Sequence, residues 1–230
     1  MADTATATVD VVIVGAGLSG LRAAVGIHEA GRSFVVLEAT DRVGGKTLSL
    51  DASHLGGKVD VGAAWLNDTN QSEMYALSKK FGFDLIKQRD EGLKIRQKLD
   101  GTVATRPFKG EENVKKNVDQ GARAGVDFFR KLIGLINESN LEFPHLGPGA
   151  KELDSVTFRE WVQANFADEA VLETASSLCA AFLGTEAGEL SALFIINYIK
   201  SGTGLLNMSS DLKDGGQYLR NRQGKLAIST

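Results

Sequence analysis

The first ordered pattern along the chain is a continuous apolar, β-branched stretch at residues 9–14, broken only by Asp10. Such a run predicts a strand buried on both faces of a parallel sheet. A glycine-rich turn follows, then "LRAAVGIHEA", a helical run closed by Gly31 as the residue just past the helix end. "SFVVLEA" predicts a second strand that finishes on Glu38. The spacing at residues 71–81 predicts a helix with Met74, Leu77 and Phe81 on one face. "LKIRQKLDGTVATRPF" reads as a hairpin turning at Asp100 and Gly101. A long amphipathic helix is expected over 111–137, with Val114, Val118, Ala122, Phe129, Ile133 and Ile136 in its apolar stripe, ended by "FPHLGPG". Thr157 and Glu160 stand at capping-box spacing before a helix carrying Trp161. Two more helices fill 168–200, and after residue 168 the pattern is helical.

These elements imply an α/β protein: a Rossmann-like β-α-β unit with an incomplete sheet, plus a mostly helical part. Two parallel strands alone leave apolar edges and an uncovered face, so further strands are expected from polypeptide outside this pattern.

The turn after the first strand is "GAGLSG", with Gly15, Gly17 and Gly20 in G-x-G-x-x-G register. Gly15 permits the tight turn, Gly17 lets backbone approach a pyrophosphate, and Gly20 lets the helix pack on the strand. Leu18 and Ser19 open the helix, where free N–H groups and the Ser19 hydroxyl face an anion. Glu38 lies 23 positions beyond Gly15, where a carboxylate accepts hydrogen bonds from an adenosine ribose and disfavours a 2′-phosphate. Strand, glycines, helix, strand and acid in register identify a dinucleotide site. A nicotinamide enzyme would proceed from the acid into another helical crossover. Here a second basic, glycine-rich loop follows at once, through Ala39, Arg42, Gly44, Gly45 and Lys46.

"VVIVGAGLSGL" with "VVLEATDRVGGKT" resembles the N-terminal signature of the flavin-containing amine oxidases of the monoamine oxidase type. The resemblance implies FAD, held by the acid, the arginine and the double glycine. Lys46 stands where that family usually has arginine; it keeps the charge and loses the planar fork. "VDVGAAWLNDTNQ" matches a D-x-G-x-x-aromatic run of the family, which implies that Gly62, Ala63, Ala64 and Trp65 approach the flavin ring. Considered alone, Trp65 reads as core. "TEAGELSALFIINYIKSGTGLLNMSSDLKDGGQYLR" resembles the family's helical substrate segment and its G-G-Q element, which implies Gln217 in the amine cavity with Phe182 and Leu183 near it.

On this resemblance residues 1–85 are the N-terminal part of an FAD-binding domain and 86–215 part of a substrate domain. Residues 216–230 begin the return to the first domain. The implied activity is oxidation of a small-molecule amine: hydride to flavin, hydrolysis of the imine, and reoxidation by O2 giving hydrogen peroxide. No residue reads as a strong catalytic acid or base, so the catalytic set stays open. Two alternatives stand beside it: a non-catalytic nucleotide-binding fragment that needs a complementing chain or a homo-oligomer, and an NAD-dependent dehydrogenase, against which the second glycine loop argues.

Composition narrows the partners. A net charge of −3 over 230 residues gives no bulk attraction to nucleic acid or to an anionic membrane. The start "MADTATATVD" lacks a basic and apolar leader pattern, and no apolar run approaches the ~20 residues of a bilayer span, so an intracellular, cytoplasmic protein is expected. The single cysteine, Cys179, sits in an apolar helical run and reads as a buried thiol. His28, His54 and His145 are scattered, and no metal set is expected.

Overall fold

The computed structural model describes residues 8–52, 57–89, 91–97, 101–107 and 123–222. They fall into two compact units, one reaching to Gln88 and resuming at Tyr218, the other running from Arg89 to Gln217.

The first unit begins with β1 (Val11–Val14), α1 (Leu18–Glu29) and β2 (Phe34–Leu37), the two strands pairing in parallel with Val11 opposite Phe34. Helix α1 closes as its sequence predicts. Gly31 has φ +66° and donates to the His28 carbonyl, while the Arg32 N–H reaches the Ile27 carbonyl. That pair of bonds satisfies two carbonyls that a helix end leaves open. β1 differs from expectation: only Ile13 is buried, with Val12 55% and Val14 85% exposed. A two-stranded sheet has too few neighbours to cover both faces of its central residues.

β3 (Ser49–Ala52) and β4 (Gly57–Asp60) form an antiparallel pair. β5 (Trp65–Leu66) and β6 (Leu85–Lys87) flank β9 (Leu219–Asn221), a strand where the sequence pattern shows only helix. Between them lies α2 (Ser72–Lys80). Its buried residue is Ser78, bonded to the Met74 carbonyl, while Phe81 caps the helix and is exposed. The expected Met74–Leu77–Phe81 face is therefore incorrect at its last member, which has left the helix.

The second unit holds a hairpin, β7 (Leu93–Gln97) and β8 (Val103–Pro107), with Gly101 at φ +80° in its turn. Asp100 lies outside the described residues, as do 111–122 of the long helix. The described part of that helix, α3 (Arg123–Glu138), buries Phe128, Leu132 and Ile136. Its stripe is thus set one residue before the expected Phe129 and Ile133, which are only partly buried. The chain then passes Pro144–Leu146 and α4 (Ala150–Asp154) to α5 (Phe158–Asn165), α6 (Glu169–Leu183), α7 (Ala192–Ser201) and α8 (Leu205–Met208). The Thr157–Glu160 capping box is complete in both directions, and Asp168 and Ser191 cap the two helices that follow. Phe158 stacks on Trp161 at 5.7 Å and Phe128 meets Phe166 edge-on at 5.7 Å, at the centre of a core shared by α3, α5, α6 and α7. Cys179 is fully buried there, as expected. Among the described residues, no helix is long and apolar enough to cross a membrane and no group of metal-ligating side chains assembles.

Candidate dinucleotide site

Two glycine turns cross in the first unit. The first runs from the end of β1 into α1: Gly15 has φ +96°, and its N–H donates to the Leu37 carbonyl of β2. A Cβ on Gly20 would overlap the Gly15 carbonyl oxygen, so only glycine lets this helix start so close to the strand. Gly17 precedes the first helical residue without a side-chain cap. The N–H groups of Leu18, Ser19 and Gly20 consequently have no acceptor within the helix, which leaves a positive terminus toward an incoming anion. Ser19 is exposed at that terminus.

The second turn, 39–46, lies against the first. Gly17 and Gly44 form a parallel bridge, and the Gly44 N–H donates to the Ala16 carbonyl at 2.8 Å. A Cβ on Gly45, itself at φ +57°, would stand 3.2 Å from the Gly17 Cα. The double glycine is thus required by loop-on-loop contact. Arg42 folds back over its own loop, its guanidinium donating to the carbonyls of Val43 and Gly45. Lys46 is exposed, and its carbonyl accepts the Ala63 N–H. Thr47 is buried and bonds the Gly44 carbonyl through its hydroxyl.

Glu38 joins the two turns. One carboxylate oxygen accepts the Ala16 N–H at 2.7 Å; the other accepts the Thr40 N–H at 2.9 Å and lies 2.9 Å from the Thr40 hydroxyl. These bonds to the charged form, that of Ala16 foremost, hold the carboxyl down at about 2. A carboxylate offers about four acceptor positions, and Ala16 and Thr40 between them draw on three.

The third stretch approaches from β4. A Cβ on Gly62 would overlap the Lys46 carbonyl oxygen, so this glycine packs the D-x-G run against the second turn. Trp65 is exposed in β5, with its indole N–H donating to Gln88 at 3.3 Å, while the adjacent Leu66 takes the core position. Of the stretch 62–65, Ala63 bonds to Lys46 and Ala64 is half-buried. Behind it, Asp60 is 3% exposed, accepts the Ser49 hydroxyl at 2.5 Å and stands 3.6 Å from Arg220 of β9.

The fit to a dinucleotide is therefore physical: helix-start amides without an acceptor in the helix, a cradle at Gly17 and Gly45 that a Cβ would fill, and an ionised carboxylate beside them. The remaining sequence candidates lie in the second unit. Phe182 and Leu183 are partly buried against the helical core at the end of α6, and Gln217 donates its side-chain N–H to the Met208 carbonyl at 3.2 Å. Sequence reasoning missed Ala16, Thr40, Thr47 and Asp60. Thr40 carried a usable signal, being a hydroxyl residue two positions after a strand-end acid, where such side chains bond local backbone.

Residues 18–224 match the model of the flavin containing amine oxidoreductases. The chain belongs to that family. It is 30% identical over 90% of its length to amine oxidase [flavin-containing] B of Homo sapiens, covering 39% of that protein. To putrescine oxidase of Kocuria rosea it is 34% identical over 70% of its length, covering 32% of the relative. Among solved structures, cyclohexylamine oxidase from Brevibacterium oxydans IH-35A superposes with a TM-score of 0.81 at 26% identity, over 97% of this chain and 48% of that one. The chain thus spans less than half the length of these relatives. FAD, the cofactor expected from the two glycine turns, is the one appropriate to this flavin-containing family.

Proposed function

We propose that this chain carries the dinucleotide grip and part of the substrate-facing helices of an FAD-dependent amine oxidase. The observation that carries the reading is the crossing of the two glycine turns at Gly17 and Gly45 with Glu38 fastened beside it. The first compact unit is the FAD-binding part and the second the substrate part. Leu18, Ser19 and Gly20 present backbone donors to the pyrophosphate, and Arg42 and Lys46 add positive charge. Glu38 accepts from the ribose hydroxyls. Residues 62–65 lie against the flat ring, where small side chains let backbone come close. Phe182, Leu183 and Gln217 face the amine. Bound flavin supplies the hydride acceptor, and the protein supplies placement and exclusion of competing reactions. The overall reaction proposed for the assembled enzyme is oxidation of a small amine by O2, with hydrolysis of the imine product and release of hydrogen peroxide. Putrescine and cyclohexylamine, named in the relatives' names, define the class of amines to try first.

A second reading is favoured by one observation. Val12 and Val14 of β1 and Val35 and Leu37 of β2 are exposed, so this sheet lacks cover within the described residues. On that reading the chain binds the dinucleotide but turns amines over only with further polypeptide completing the sheet. Flavin absorbance that stays with the purified chain through gel filtration supports both readings. Bleaching of that band on adding putrescine or cyclohexylamine without oxygen supports the first; a retained band that no amine bleaches supports the second. A chain that binds nicotinamide dinucleotide and no FAD refutes both.

A further inference from the structure

We infer that Thr40 is the positioning residue of the dinucleotide site: it sets the Glu38 carboxylate on the Ala16 peptide and through it the shape of the first glycine turn. The argument starts from Ala16, which is 2% exposed and has both of its backbone groups committed. Its N–H donates to Glu38, and its carbonyl accepts from Gly44 in the second turn. A buried residue held on both sides is the point through which the two turns share one geometry.

What orients the carboxylate is Thr40. Glu38 sits at the end of β2 on a side chain with free rotation about three bonds, and a single contact to Ala16 leaves it free to pivot. Thr40 restrains it at the opposite oxygen through both its own N–H and its hydroxyl. Its hydroxyl lies 2.9 Å from the same oxygen and 3.0 Å from the Arg42 carbonyl. With one proton the hydroxyl donates to one of these acceptors at a time; when it donates to the Arg42 carbonyl, the Thr40 N–H still holds the acid, and the residue links Glu38 to the backbone that leads into Gly44 and Gly45. The path Ala16–Glu38–Thr40–Arg42–Gly44–Ala16 closes on itself. Removing the hydroxyl opens this ring at the only side chain besides Glu38 that belongs to it.

The relevance to a ligand rests on the FAD reading above; the geometry does not. The test separates them. Amide hydrogen exchange at Ala16 is followed in the 230-residue chain without added ligand, in wild type, Thr40→Val and Thr40→Ser. Valine keeps the branch and the backbone N–H and loses only the hydroxyl; serine keeps the hydroxyl. Ala16 is expected to exchange roughly tenfold faster in T40V and close to wild type in T40S. FAD affinity is then read by flavin fluorescence in the same proteins, with Glu38→Gln and the double variant added. T40V is expected to weaken FAD about tenfold, T40S to restore it, and T40V to cost little more once Glu38 is already glutamine. Unchanged Ala16 exchange in T40V overturns the inference, as do T40V and E38Q losses in FAD affinity that simply add. Faster Ala16 exchange in a chain that takes up no FAD upholds the positioning role and overturns the FAD reading instead.

Discussion

The Glu38 carboxylate accepts the backbone N–H of Ala16 at 2.7 Å, so the acid that ends the second strand is fastened to the turn that ends the first. The acid therefore shapes the first glycine turn, beside the ribose role proposed for it. Its carboxyl is held at about 2 against an ordinary 4.5. A depressed acid stabilises the arrangement at pH above its ordinary value and releases it as pH falls through the folded value. Folding stability is expected to be level from neutral pH down to about 4.5 and to lose this carboxylate's contribution between there and about 2. In Glu38→Gln that acid-side contribution disappears, and FAD affinity at neutral pH is about tenfold lower. Thermal melts across this range and a fluorescence titration of FAD at neutral pH, wild type against variant, check the two.

Two glycines of one helix are expected to respond in opposite directions. Gly20→Ala drives a Cβ into the Gly15 carbonyl, where backbone must yield, and costs about 2–3 kcal/mol together with loss of FAD binding. Gly26→Ala meets only the far end of Arg22 at 3.5 Å and gains about 0.5–1 kcal/mol from helix propensity. Urea unfolding of the two variants gives the sign directly.

Burial pushes the Cys179 thiol up to about 11, with Glu186 adding to it. The native chain is expected to leave a thiol reagent untouched at neutral pH and to yield one reactive thiol after denaturation. Because the unfolded thiol ionises first, this residue's contribution to stability falls as pH rises from about 9 toward about 11. Cys179→Ala removes that alkaline sensitivity, which a pH series of thermal melts reads out.

Asp60→Ala removes the acceptor of the Ser49 hydroxyl and the charge beside Arg220, at the seam where β9 joins the first unit. The expected cost is about 2 kcal/mol, seen as a lower urea midpoint.

The sequence carried the parts of this architecture whose signals are local. The glycine spacing, the acid at the strand end, the capping box at Thr157 and the Asp100–Gly101 hairpin each depend on a few neighbouring residues, and the described portions of each formed as read. What went astray depends on contacts with distant chain. In the helix stripe Ile136 is buried as expected, while Phe128 and Leu132 hold the core in place of Phe129 and Ile133; Phe128 and Phe129 are both apolar, and only packing against Phe158 and Phe166 decides between them. Val12 and Val14 read as buried because β-branched runs presuppose neighbouring strands. β9 was invisible because three residues, "LRN", carry no period, and their pairing partners lie more than a hundred positions earlier. In the site, Ala16 escaped notice because an alanine announces no chemistry and its two bonds form only once the turns touch, whereas Thr40 carried a local signal beside its acid.

The bare valines of β1 and β2 also set how this polypeptide behaves in a test tube. Each strand presents an open edge among the described residues, with apolar side chains beside it. Such an edge is a template that a second molecule can join through its own main chain. Recovery of the native form should therefore fall as protein concentration rises, with self-association beginning at these strands, and a charged residue at Val14 should restore solubility without disturbing the buried helical core.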